Sequence, residues 1–391
     1  LPLCTTNRIN MPDVAESLLE DGTADMVSMA RPFLADPEFV NKTAQARVDE
    51  INTCIACNQA CLDHTFQWKR ASCLVNPRAG HETKLNFPPV DKPRDIAVIG
   101  AGPAGLEAAT RLAERGHKVI LFDSASEIGG QFNMAKKIPG KEEFYETLRY
   151  YARKLELLEV DVRLHTPVDA DDLVAMGFDE IVIATGVNPR TPAIDGITHA
   201  SVASYIDVIH GRVEVGRRVA VIGAGGIGFD VSEFLTHTRP SPAEDKQKFF
   251  DEWGVDPTLT NESGLVEPDP EPSPREVWLL QRTDDLDDPF IPLQCWWVLE
   301  RHCETNRADV LALFNEPAFF RQPMVEQHIL ERLMRRLAAR GRQDDLAGCA
   351  RLLAAAPTKA HRDKLMVGFA KAIEGQALPR LPEDLVEQLH Q

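Results

Sequence analysis

"CIACNQACLDHTFQWKRASC", residues 54–73, carries four of the chain's eight cysteines, Cys54, Cys57, Cys61 and Cys73. Their spacing is C-x2-C-x3-C-x11-C, while Cys4, Cys295, Cys303 and Cys349 are scattered and fit no ligand pattern. Three thiols within eight residues meet at one metal centre only if the backbone curls tightly, and the small Ala56 and Ala60 permit that curl. Thiolates are soft donors that suit zinc or iron–sulfur. Structural zinc sites usually take cysteines as two separated pairs. Here three crowd together and a fourth stands apart, which favours a [4Fe–4S] cluster with one iron per cysteine. Zinc and unmetallated thiols remain the alternatives. His64, inside the loop, reads as structural or exposed.

Two glycine motifs follow. Gly100-Ala-Gly-Pro-Ala-Gly105 lies between the strand pattern "DIAVIG" and the helix pattern "LEAATRLAERG", the context a dinucleotide fingerprint requires. In that context Gly100 makes the turn, Gly102 lets backbone approach a pyrophosphate, and Gly105 lets helix pack on strand. Asp123 ends the next strand, where a carboxylate can bind ribose hydroxyls, and Gly129 and Gly130 form a second glycine pair nearby. The second motif, Gly223-Ala-Gly-Gly-Ile-Gly228, follows the strand pattern "RRVAVI". At the position equivalent to Asp123 it has Arg282, and an arginine there favours the 2′-phosphate of NADP. Two dinucleotide sites and an iron–sulfur centre make a set of electron carriers.

The elements that must position these residues are legible in outline. "LCTTNRIN", "MPDVAESLLEDG" and "ADMVSMARPFLADPEFV" read as strand, helix, then strand with a helix start. The proline- and charge-rich "LNFPPVDKPR" is a linker, and "KEEFYETLRYYARKLELLEV" an amphipathic helix. Beyond Asp288 the chain turns alanine- and leucine-rich and loses its strand signal, so stacked antiparallel helices are expected. With 391 residues, several domains fit. A net charge of −17 leaves no evident basic surface for nucleic acid. No run of about 18 uncharged apolar residues appears, so no membrane span is expected. The cysteine usage suits a cytoplasmic setting. "LPLCTTNRINMPDVAE" has no signal-peptide form and no initiator methionine, and reads as a chain whose beginning is missing.

Together these segments resemble the 2,4-dienoyl-CoA reductase family, within the iron–sulfur NADH:flavin oxidoreductases related to trimethylamine dehydrogenase. The resemblance covers about residues 1–285 and is carried by "ADMVSMARPFLADPEFVNK", "EINTCIACNQACLD", "SCLVNPRAG", "IAVIGAGPAGLEAA", "GGQFNMAKKIPGKEEFYETLRYY", "IVIATGVNPR" and "VAVIGAGGIGFDVSEFL". It implies an α/β fold class: the C-terminal remnant of an FMN-binding TIM barrel (1–50), an iron–sulfur segment and linker (51–90), and an incomplete, doubly wound FAD-binding Rossmann-like domain (91–215). An NAD(P)-binding Rossmann-like domain (216–288) and an all-α tail (289–391) complete it. By the same resemblance Cys54, Cys57, Cys61 and Cys73 are cluster ligands, and Arg31 grips the FMN phosphate. Gly100, Gly102, Gly105, Asp123, Gly130 and Gln131 form the FAD site, and Gly223, Gly225, Gly228 and Arg282 the NADP site. Electrons in such enzymes run from NADPH through FAD and the cluster to FMN, and on to a dienoyl-CoA of fatty-acid β-oxidation.

Two departures from the family shape the expectations. The chain begins near the seventh barrel strand, so the family's tyrosine and histidine proton donors lie upstream and no catalytic residue is assigned. After Asp288 the family's flavin-covering return gives way to the helical tail, which is faintly similar to α-solenoid regions of planctomycete haem-associated dehydrogenases. FAD and NADP binding are therefore expected to be weakened, and the isolated chain inactive on a dienoyl-CoA. Three functions follow: an unsaturated acyl-CoA reductase in divergent or partial form, a related enone reductase or amine dehydrogenase, or a non-catalytic hybrid whose tail binds a protein partner.

Overall fold

In the computed structural model, which describes residues 1–280, 286, 291–375 and 381–390, two short strands, Cys4–Thr6 (β1) and Met26–Ser28 (β2), pair in parallel. Cys4 stands opposite Met26, and Thr6 opposite Ser28. Helix Pro12–Glu20 (α1) connects them. Pro12 suits its first turn because a first-turn N–H has no helical acceptor to lose. Arg31–Ala35 (α2) and Phe39–Ala44 (α3) follow, and Leu62–Phe66 (α4) lies inside the cysteine segment.

Next come Asp95–Ile99 (β3), Pro103–Glu114 (α5), Lys118–Phe122 (β4), Phe132–Ala135 (α6) and Phe144–Leu157 (α7). Asp161–Arg163 (β5), Ala170–Met176 (α8), Glu180–Ile183 (β6) and Tyr205–His210 (α9) continue the chain. Strands order as β5-β4-β3-β6, all parallel, with Ile99 opposite both Phe122 and Ile183. Each strand is short and apolar at its centre, as strands covered on both faces tend to be. On one face α7 presents Leu148, Tyr151 and Leu155 at helical spacing, closing a core with Val98, Leu106 of α5 and Leu121. On the other, Leu173 of α8 packs with Ala97 and Phe122. Helices on both faces of a parallel sheet make the doubly wound arrangement. α8 is bounded by a reciprocal Asp169–Asp172 capping box and by Gly177 at φ +72°.

Among the described residues no fifth strand joins this sheet, and β6 is its edge. Ile181 is 41% and Ile183 77% exposed there. A doubly wound sheet ordinarily buries such residues, and an open apolar edge is a template for further pairing.

Arg218–Ile222 (β7), Gly226–Thr236 (α10), Lys246–Trp253 (α11) and Glu276–Leu280 (β8) follow, and β7 and β8 make a two-stranded sheet. Contacts divide the chain into two units, Leu1–Val219 with Asp230–Val277, and Ala220–Phe229 with Trp278–Gln391.

The second unit is mostly helical: Ile291–Thr305 (α12), Arg307–Leu313 (α13), Pro317–Phe320 (α14), Leu330–Arg340 (α15), Gln343–Ala355 (α16), Lys359–Ile373 (α17) and Glu383–His390 (α18). Leu330, Leu333, Met334 and Leu337 of α15 recur at i, i+3, i+4 and i+7 and are wholly buried with Phe314, Phe320, Leu346 and Leu365. α15 and α17 cross closely because Gly368 carries no side chain; a Cβ there would lie 2.2 Å from the Glu331 carbonyl oxygen. No helix among the described residues is long and apolar enough to cross a membrane.

One buried charge gives this helical unit a measurable weak point. Asp345, 1% exposed, is paired with the Arg307 guanidinium of α13. Removing one partner of a buried pair leaves the other without compensation. Arg307→Met is expected to destabilise the helical unit by about 3 kcal/mol, and Arg307→Lys by clearly less, in urea unfolding followed by circular dichroism. Equal midpoints for wild type and Arg307→Met would show that the pair contributes nothing.

Candidate cofactor sites

The cysteine loop is shaped by backbone that sequence pattern alone does not announce. Ala56 and Asn58 both take left-handed φ, +54° and +61°, which turns the chain back on itself between Cys54 and Cys61. The Ser72 N–H then donates to the Ala60 carbonyl at 2.7 Å, returning the chain so that Cys73 joins the other three. From β1's exit loop, Asn10 Nδ2 donates to the Cys54 carbonyl at 3.0 Å, and Asn52 Nδ2 donates to Val75 O at 2.8 Å. None of the four cysteines is in a disulfide.

They line one small, partly open hollow of about 10 Å³, together with Arg31, Leu34, Ala60 and Leu74. Burial pushes the Cys54 and Cys73 thiols up from the ordinary value. The Ala56 amide opposes this at Cys54, and the Val75 and Asn76 amides oppose it at Cys73. Backbone N–H groups turned on ligand sulfurs are among the features that tune iron–sulfur centres. Among the described residues no three His, Cys, Asp or Glu side chains are gathered closely enough for a single metal ion. Four thiols lining one hollow are the donor set that a cluster with one iron per ligand takes. His64 Nδ1 instead lies 3.0 Å from the Arg70 carbonyl oxygen, and the residue is not among those lining the hollow.

Arg31, expected from sequence on a flavin phosphate, stands on the wall of this hollow. Its guanidinium donates to Asn58 Oδ1 and, at 3.2 Å, to Asn7 Oδ1. Asn7, Asn10 and Asn58 were not singled out from sequence, because a lone asparagine carries no spacing signal. Their left-handed backbone offers a partial cue, since Asn7 and Asn58 both have positive φ.

The first glycine turn behaves as its sequence context implies. Gly100 sits at φ +106°, and a Cβ there would lie 2.3 Å from the Ala184 carbonyl oxygen, where β6 ends. At Gly105 a Cβ would lie 1.7 Å from Gly100 O, so helix α5 can rest on the turn only as glycine. Gly102 differs: an added Cβ meets no heavy atom within 4 Å. It caps the N-terminus of a 12-residue helix, facing open space at the end whose free N–H groups attract a pyrophosphate. Asp123 is engaged by the turn itself, Oδ2 accepting from Ala101 N–H at 2.6 Å and Oδ1 from Ala125 N–H at 2.7 Å. The Gly129 N–H donates to Ala101 O at 2.7 Å and brings Gly130 against Gly102. Gln131 Nε2 donates to Val187 O at 3.1 Å, beyond the end of β6. The open cradle at Gly102 suits a dinucleotide.

The second turn repeats this geometry. Gly223 lies at φ +113° and donates to Leu280 O at 2.7 Å, and a Cβ on Gly228 would lie 1.8 Å from Gly223 O. Gly225 faces open space as Gly102 does. Arg282 lies outside the described residues.

A larger hollow, about 410 Å³, is lined by Asp36, Lys42, Arg111, Glu114 and Lys154 among others. Three of its cations are matched in ion pairs: Lys42 with Asp36 at 2.6 Å, Arg111 with Glu107 at 2.6 Å, and Lys154 with Glu114 at 2.8 Å. None of the cysteines or motif glycines lines it.

Residues 1–50 match the NADH:flavin oxidoreductase / NADH oxidase family, and residues 94–251 match the family described as pyridine nucleotide-disulphide oxidoreductase. Over residues 1–50 the chain is similar to the NADH:flavin oxidoreductases. A metal reductase of Desulforamulus reducens is 39% identical over 242 residues, 61% of this chain and 36% of its own length. A bilirubin reductase of Mediterraneibacter gnavus is 35% identical over 235 residues, 60% of this chain and 37% of its own. Among solved structures, a 2-naphthoyl-CoA reductase in complex with 2-naphthoyl-CoA superposes with a TM-score of 0.58 at 37% identity, covering 60% of this chain and 36% of that one. The chain thus spans about a third of the length of these relatives. These likenesses support flavin and NAD(P) as cofactors, and they do not single out a dienoyl-CoA reductase.

Proposed function

We propose that this chain carries the electron-input part of an NADPH-dependent flavin and iron–sulfur reductase of unsaturated carbonyl compounds, a 2,4-dienoyl-CoA among them. The observation that carries the reading is the gathering of Cys54, Cys57, Cys61 and Cys73 around one hollow, in a chain that also holds an open glycine turn. The 2-naphthoyl-CoA of the similar reductase supports an acyl-CoA as substrate class.

The four thiols would hold a [4Fe–4S] cluster, Gly102 and the N-terminus of α5 an FAD pyrophosphate, and Gly225 its NADP counterpart. When bound, a flavin takes the hydride's electron pair and a cluster passes electrons singly. The chain's own residues contribute shape. Gly105 seats the helix, Asp123 fastens the turn, and the Ala56, Val75 and Asn76 amides face the sulfurs. Two barrel strands, β1 and β2, belong to the part that in such enzymes surrounds FMN and the substrate. No proton donor for a substrate is assigned within the chain.

Following NADPH oxidation with two acceptors tests this. With an artificial dye the purified chain, supplied with FAD, should oxidise NADPH in preference to NADH. With a dienoyl-CoA as sole acceptor it should not turn over, because among the described residues the barrel-like sheet is the two strands β1 and β2, too little to orient a flavin against a substrate. Silence with the dye would overturn the proposed input role and favour a non-catalytic hybrid. Turnover of the dienoyl-CoA would overturn the division of labour.

A further inference from the structure

Resting on the cluster reading above, we propose that Arg31 tunes the cluster: a guanidinium held beside the four cysteines supplies a fixed positive charge that raises the cluster's reduction potential. Two observations converge on it. Arg31 lines the cysteine hollow directly. Its guanidinium is held at two points, Asn58 Oδ1 inside the cysteine loop and Asn7 Oδ1 in the exit loop of β1.

Both anchoring asparagines have left-handed backbone, φ +81° at Asn7 and +61° at Asn58, and Arg8 beside Asn7 is at +50°. Successive non-glycine residues at positive φ persist where surrounding contacts over-determine them. Here those contacts are the Arg31 bonds and the Asn10 bond to the Cys54 carbonyl, which tie β1's exit loop to the cysteine loop.

The physical consequence follows from charge. A cluster bound by four thiolates is anionic and becomes more so when it gains an electron. A nearby cation favours the reduced state, and net charge is one of the levers that set such potentials. Arginine suits this role because its guanidinium stays protonated at every working pH and presents a planar fork that two acceptors can hold. A lysine would keep the charge but lose that two-point hold.

The test uses the full chain purified without oxygen, with iron and sulfide measured first. The cluster is then titrated potentiometrically and followed by electron paramagnetic resonance of the reduced form. In Arg31→Gln the reduced fraction at a given potential should fall about tenfold, a downward shift of about 59 mV for one electron. Arg31→Lys should recover most of that shift. Asn58→Asp keeps the shape of its side chain but sets a carboxylate against the guanidinium, and should shift the potential in the same direction as Arg31→Gln. Full iron and sulfide with unchanged potential in Arg31→Gln and Asn58→Asp would overturn the role of Arg31 and leave the cluster reading standing. Wild-type chain without iron and sulfide would overturn both.

Discussion

Cys57→Ser is expected to leave the anaerobically purified chain without most of its iron and acid-labile sulfide, while the wild type holds both. A serine oxygen is a poor substitute for a soft thiolate. Cys54, Cys61 and Cys73 would then offer three ligands around a hollow that four now line. No other thiol lines that hollow. Cys4 is exposed on β1, and Cys295, Cys303 and Cys349 belong to the helical unit, where Cys303 and Cys349 are 3% and 0% exposed. Burial pushes their thiols up, Cys303 to about 11 and Cys349 to about 12, so both stay protonated and inert. Second-shell substitutions alone cost about 10–100-fold in metal affinity, so loss of a ligand should exceed that. Stoichiometric zinc without sulfide in the wild type would replace the cluster by the zinc alternative.

The second large effect separates two glycines of one motif. Gly105→Ala sets a methyl carbon 1.7 Å from the Gly100 carbonyl oxygen. Both clashing atoms belong to backbone, so neither side can swing away, and helix α5 must lift from the turn. A loss of about 3 kcal/mol or more is expected, at the upper end of overpacking costs, with the FAD site lost along with it. Gly102→Val should do the reverse. An added Cβ meets no heavy atom within 4 Å, and the residue has φ −76° and ψ 178°, extended backbone that valine adopts readily. The melting temperature should therefore hold while FAD affinity falls more than about tenfold, because the new side chain occupies the approach of the pyrophosphate. Fluorescence titration with FAD and thermal melts on both variants check this. Wild-type FAD affinity in Gly102→Val would remove the glycine turn from the flavin site.

What the sequence by itself determined is the set of local rules. Glycines at 100 and 105 between an apolar run and an amphipathic helix specify a strand–turn–helix, because only glycine fits those two close approaches, while Gly102 between them leaves the helix end open. The apolar spacing of Leu330, Leu333, Met334 and Leu337 specifies a buried helix stripe, and the helical tail is legible for that reason. The cysteine spacing points to a soft metal centre by chemistry alone.

Tertiary structure decided everything that depends on residues far apart in the chain. It placed Cys73 with Cys54, Cys57 and Cys61, through a hydrogen bond between Ser72 and Ala60 that no spacing rule foretells. It turned Arg31 toward Asn58, 27 positions away, and tied Asp123's carboxylate to the Ala101 amide, 22 positions away. It also left β6 as a sheet edge with Ile183 exposed. Strand and helix periods report which face of an element is apolar, but not which distant segment covers it. Polar side chains such as Asn7, Asn10 and Asn58 have no period at all. Their partners are chosen by where the packed elements bring donors and acceptors within reach, and that is settled only when the chain has folded.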